Sequence, residues 1–110
     1  MALPKTSERR FTYADYLKWP DGERWELIDG EAYAMSPAPT ISHQTLVLDI
    51  ARQIADALDG APCRALIAPV DVLLPTPDEA DDRTTTVVQP DILVVCDPAK
   101  ITERNVRGAP

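Results

Sequence analysis

The stretch VVQPDILVVC, residues 87–96, constrains this chain most. Its apolar, β-branched composition is that of a strand, yet Gln89-Pro90-Asp91 interrupts it near the start. Proline has no N–H to give to a ladder, so Pro90 marks an edge, a strand start or a bulge. A bulge disturbs pairing and re-aims the next side chain, which here is Asp91. The run Ile92–Val95 that follows predicts a strand buried on both faces. A carboxylate buried at its entrance without a partner costs several kcal/mol or takes up a proton. Two arrangements avoid that cost: Asp91 is solvated at the strand entrance, or it holds a divalent cation. Mg²⁺ suits the second, because it takes one or two carboxylates plus waters and substrate phosphate.

The chain has 110 residues, enough for one core, and 45% of them are apolar, so the composition is globular rather than disordered. Residues 1–10 predict a flexible arm and residues 11–110 a single domain. FTYADYLKWP predicts a short helix capped by Thr12, with Asp15 at its third position and Phe11 and Tyr16 at the spacing of a hydrophobic staple. RWELIDGEAYAM predicts a hairpin turning at Asp29-Gly30. Its register sets Trp25 opposite Ala34, Glu26 opposite Tyr33, Leu27 opposite Ala32 and Ile28 opposite Glu31. One face then carries Trp25, Leu27, Ala32 and Ala34. The other carries Glu26, Ile28, Glu31, Tyr33 and Met35, so both glutamates point the same way. That face is either a solvated surface or the lining of a polar site.

A longer helix follows, with Ser42 or Thr40 as its cap, a stripe of Val47, Ile50, Ala51, Ile54 and Leu58, and Gly60 as its stop. His43, the single histidine, lies one turn before Val47 and is expected to face inward. It reads either as a packed core residue or as a residue of a site at that helix end. CRALIAPVDVLL predicts one strand, strongest at Val70–Leu74. PTPDEADDRTTT predicts an exposed, mobile acidic loop, and the tail after Cys96 leaves the sheet. The order helix, hairpin, helix, strand, strand gives an α+β class: a small twisted, mixed or mainly antiparallel sheet packed on one long helix.

The formal net charge of −7 argues against a protein that coats nucleic acid through a broad basic surface, while leaving room for a nuclease whose carboxylates hold cations. No apolar run approaches a membrane span and the N-terminus lacks a signal-peptide core, so no membrane partner and a cytoplasmic location are expected. Cys63 and Cys96 have no metal-ligand spacing and are expected as buried thiols rather than a disulfide.

The ordered set WELIDGE, SPAPTISHQ, APVDVLL and VQPDILVV, then ITERNVRGAP, resembles the Uma-two family of restriction-endonuclease-like proteins, a branch of the PD-(D/E)xK nuclease superfamily. The resemblance runs from about Phe11 to Pro110. It implies a restriction-endonuclease-like fold and metal-assisted phosphodiester hydrolysis on DNA, with Mg²⁺ or Mn²⁺ as cofactor. Asp91 matches the aspartate of the PD element and is the implied metal ligand. Glu26 is the implied supporting acid, with Glu31 as a further candidate ligand. His43 and Gln89 match polar positions expected to orient water or phosphate.

In the family, GAP leads into a strand bearing a second acid and then a lysine. The chain therefore corresponds to the N-terminal part of such a domain, and Lys100 does not occupy the lysine's place. A truncated site of this kind predicts weak or no activity alone. The rival is a non-catalytic oligomerisation or interaction module on a nuclease scaffold. In both readings an unpaired apolar edge near Val87–Cys96 or Ile101–Pro110 predicts a homodimer or higher symmetric oligomer.

Overall fold

The computed structural model describes residues 10–35 and 38–110. All of the expected N-terminal arm except Arg10 lies outside them. The class is α+β: one long helix, a short helix and strands in two sheets. The chain forms two compact units. The first comprises residues 10–35 and Leu73–Val88, the second Ala38–Val72 and Gln89–Pro110.

The first unit opens with α1 (Tyr13–Tyr16). Thr12 accepts the Asp15 N–H, and the Asp15 carboxylate accepts the Thr12 N–H at 3.0 Å, which completes a capping box. Tyr16 packs against the core cluster that includes Phe11, whose ring meets Trp19 edge-on at 5.2 Å. The hairpin follows as β1 (Trp25–Ile28) and β2 (Glu31–Ala34), antiparallel in the register that the Asp-Gly turn dictates. Asp29 (φ 50°) and Gly30 (φ 82°) both adopt the left-handed conformation of a type I′ turn. Trp25, Leu27 and Ala32 are buried as the alternation requires, but Ala34, at the strand end, is exposed. The core adds Phe11, Tyr13, Leu73 and Val87, with Trp19 against it. Val87 starts the short strand β5 (Val87–Val88), which pairs antiparallel with β1 at Leu27.

The expected acidic loop is less exposed than its composition suggests. A 3₁₀ turn at Asp81–Arg83 leads into Thr84, which is fully buried and donates its hydroxyl to the Ala80 carbonyl at 3.1 Å. Thr84 also accepts the Tyr13 N–H on its own carbonyl, which ties α1 to this segment. The polar composition hid these local hydrogen bonds.

The second unit is built on α2 (Ile41–Ala57). Thr40 is the cap and accepts the His43 N–H at 3.1 Å, so Ser42 is not the cap. Gly60, at φ 80°, lies just past the helix end. Val47, Ala51, Ile54 and Leu58 form the inward stripe but are only half-buried, while Ile50 is exposed. The helix packs on β3 (Arg64–Ile67). The single strand expected over residues 63–74 is two strands, because Pro69 supplies no ladder donor: β3 ends at Ile67 and β4 (Asp71–Leu73) begins beyond the proline.

β6 (Ile92–Val95) pairs antiparallel with β3, setting Arg64 opposite Val95 and Ile67 opposite Ile92. It is not buried on both faces: Leu93 and Val95 are buried, while Ile92 and Val94 are half-exposed. Its other edge has no ladder partner among the described residues. The tail does not leave the sheet, since β7 (Asn105–Arg107) neighbours β4 and buries Val106.

Cys63 and Cys96 form a disulfide, which corrects the expectation of buried thiols. The cause is register: extending the β3–β6 ladder one step past Arg64 and Val95 sets the two cysteines opposite each other.

Candidate functional site

Gln89-Pro90-Asp91 separates β5 from β6, so the proline does end one strand before another begins. Asp91 remains tied to β3 by its backbone, whose carbonyl accepts the Ala68 N–H at 3.1 Å. Its carboxylate is exposed and lies 3.1 Å from Nε2 of His43. The helix geometry explains the meeting. Thr40 fixes the first turn by capping the His43 N–H, and that places His43 on the inward stripe one turn before Val47.

The histidine's other nitrogen, Nδ1, is buried and has no hydrogen-bond partner among the described residues. The tautomer with its proton on Nε2 donates to Asp91 and leaves Nδ1 as a bare acceptor. The opposite tautomer would bury an unpaired N–H, which is the costlier error. His43 is therefore suited to orient the Asp91 carboxylate by donating to it. A metal-ligating histidine instead gives its second N–H to an acceptor, and none is present at Nδ1.

Gln89 donates its side-chain amide to Asp71 at 2.9 Å in a partly buried setting. Asp71 was not singled out from the sequence as a site residue. The available signal was a lone charged residue inside the apolar run VDVLL. The pair holds the Gln-Pro-Asp segment to the start of β4 and so limits where Asp91 can move.

Glu26 and Glu31 belong to the first unit, on the outward face of the hairpin where their register placed them. Glu26 is half-buried and Glu31 exposed. Glu31 accepts the Tyr33 hydroxyl at 2.8 Å. That bond, reinforced by the carboxylate's charge, raises the Tyr33 phenol above its ordinary range. In the second unit the structure thus brings together His43 with Asp91 and Gln89 with Asp71. Among the described residues, no three His, Cys, Asp or Glu side chains cluster closely enough to hold a metal ion. No helix among them is long and apolar enough to cross a membrane.

The fold is thus α+β, with a proline-led aspartate exposed beside a histidine at the entrance of a strand. Residues 13–110 match the family Uma2, described as "Putative restriction endonuclease", and the chain belongs to that family. No curated protein matches it.

Proposed function

We propose that this chain carries the aspartate-bearing part of a divalent-metal-dependent DNA endonuclease site and has weak or no cleavage activity by itself. Family membership supports the reaction class. The observation that carries the site is the exposed Asp91 carboxylate, held at 3.1 Å from His43 at the entrance of β6.

The residues fit a Mg²⁺ or Mn²⁺ ion in part. Asp91 offers an accessible carboxylate oxygen of the kind these ions take, with waters and phosphate filling other positions. Glu31, a further ligand expected from the sequence, already holds the Tyr33 hydroxyl within the first unit. When bound, the ion supplies Lewis-acid polarisation of a phosphoryl oxygen and a more acidic water. The chain's own residues do the rest. His43 fixes the carboxylate's rotamer through Nε2–H. Asp71 anchors Gln89, the residue that this reading assigns to orienting a water or a phosphate oxygen. Transition-state charge needs further preorganised donors.

Calorimetric titration with Mn²⁺ tests this reading. Wild-type protein is expected to bind, and Asp91→Asn to lose binding with its melting curve intact. His43→Ala is expected to weaken binding by about tenfold, the size of effect typical for a group that orients a ligand. Supercoiled DNA with Mg²⁺ or Mn²⁺ is expected to be cut no faster by wild type than by Asp91→Asn. Unchanged metal affinity in Asp91→Asn overturns the site. Strong Asp91-dependent nicking overturns the low activity proposed here.

A second reading, a self-associating module with no chemistry, is favoured by the unpartnered edge of β6. Edge donors and acceptors are self-complementary, so a second copy can pair antiparallel about a twofold axis. Light scattering at micromolar concentration distinguishes a dimer from a monomer.

A further inference from the structure

The disulfide and the candidate site occupy the two ends of one ladder. The pairs Arg64–Val95, Ala65–Val94, Leu66–Leu93 and Ile67–Ile92 define its register. Cys63 and Cys96 continue that register at one end. Ala68 and Asp91 continue it at the other, joined by the Ala68 N–H donating to the Asp91 carbonyl. A strand rises about 3.4 Å per residue, so the five steps from Cys96 to Asp91 span roughly 17 Å. No covalent bond other than Cys63–Cys96 links the two strands.

A two-stranded antiparallel pair is marginally stable by itself. Here β3 and β6 have no third strand in their sheet among the described residues. The helix above them offers limited support, since none of its residues is buried. Leu93 and Val95 anchor β6 by burial, and the cross-link adds a covalent tie at the end of the ladder opposite Asp91. Cys96 is exposed and Cys63 half-exposed, so the bond is open to attack from solvent.

We propose that the Cys63–Cys96 disulfide is a redox-sensitive latch on the candidate site: its reduction by a dithiol loosens β3 against β6 and uncouples Asp91 from His43. In this exchange one thiolate of the dithiol attacks a disulfide sulfur and forms a mixed disulfide, releasing one protein thiol. The second dithiol sulfur then displaces the other cysteine. The S–S bond between Cys63 and Cys96 breaks, the reductant closes its own S–S bond, and two electrons and two protons pass to the protein thiols. The latch acts on the Asp91–His43 pair proposed above as the site. Its structural effect is measured without metal or DNA, so its failure is separable from failure of that reading.

Hydrogen exchange followed by mass spectrometry tests this on full-length protein, oxidised and then reduced with dithiothreitol under native conditions. Mass after alkylation first establishes whether the oxidised protein lacks free thiols. On reduction, amides in residues 64–68 and 91–95 are expected to exchange roughly tenfold faster, as in local opening. Those of the hairpin, residues 25–34, should be unchanged. The His43 imidazole signals in NMR should shift in the same step. A Cys63→Ser, Cys96→Ser double variant should resemble the reduced protein and ignore dithiothreitol. Three outcomes overturn the latch: two free thiols after oxidation, uniform unfolding on reduction, or opened strands with unmoved His43 signals.

Discussion

The two units are stabilised in different ways. The first surrounds Leu27, which is fully buried, with Phe11, Tyr13, Trp25, Ala32, Leu73 and Val87. Four aromatic contacts, from Phe11–Trp19 through Trp19–Trp25, tie α1 to the hairpin. The second unit relies on a helix with no buried residue, a two-stranded ladder and one disulfide. Ile41, Leu46 and Leu48 of that helix are exposed. The exposed Asp91–His43 pair is in this second unit. Segments that must meet ligands are drawn from the less stable parts of a protein, and the contrast fits that rule. The first unit is closely packed, and the lightly packed second unit carries the proposed site.

The sharpest way to break the contrast is to truncate one leucine in each unit. Leu27→Ala is expected to cost about 2–5 kcal/mol in denaturant unfolding, since a buried leucine leaves a cavity. Leu48→Ala, at an exposed helical position, should change stability by less than about 0.5 kcal/mol. Similar losses in both would show that α2 is covered in solution, and the picture of a lightly packed unit would fall.

A smaller effect sharpens the description of α2 itself. Thr40→Ala removes the oxygen that caps His43 N–H and should cost about 1 kcal/mol. Ser42→Ala should be near neutral. The reverse order, read from thermal melts, would move the cap and with it the placement of His43.

The smallest effect lies in the first unit. The Glu79 carboxylate is held below its ordinary range chiefly by the Thr76 N–H, against an opposing desolvation, with the Thr85 hydroxyl adding to the lowering. Because its folded pKa is depressed, its stabilising contribution is complete above the ordinary glutamate range. That contribution fades as pH falls through the lowered value. Glu79→Gln should therefore flatten a small part of the acid-side decline in stability from the ordinary glutamate range down through that lowered value. An identical decline in the variant would assign the loss to other carboxylates.

How much was legible in the sequence follows the same division. The hairpin register was readable to the residue, because a two-residue Asp-Gly turn fixes pairing between adjacent segments. The capping box at Thr12 and Asp15 was readable for the same local reason. The pairing of β3 with β6 joins segments separated by all of β4 and β5, and nothing local announces it. The disulfide was missed with it, since only the register shows that Cys63 faces Cys96. The burial of Thr84 and the return of the tail as β7 were hidden likewise, by polar composition in one case and a three-residue strand in the other. At the site, Asp91 and His43 were each singled out by local signals, a proline ahead of one and a helix start ahead of the other. Their meeting was not. Asp71 was passed over because its partner Gln89 lies 18 positions away.

The hairpin tip carries a practical lesson for anyone who wishes to modify this protein. Tips of exposed hairpins are normally where foreign peptides, affinity tags and circular breaks are accepted. Here Gly30 is buried; its carbonyl receives the Phe11 N–H at 2.8 Å and its N–H reaches the Thr85 carbonyl at 2.8 Å. A Cβ at that position would sit 2.8 Å from Cβ of Arg10. The Asp29 N–H meets the Thr86 hydroxyl at 3.1 Å, and the Asp29 carboxylate pairs with Arg10. Three separate stretches of chain are sewn together at what sequence alone would mark as a loose end. A graft there would cut all four stitches at once, whereas Gly22, with open space where a Cβ would stand, is the better point of entry.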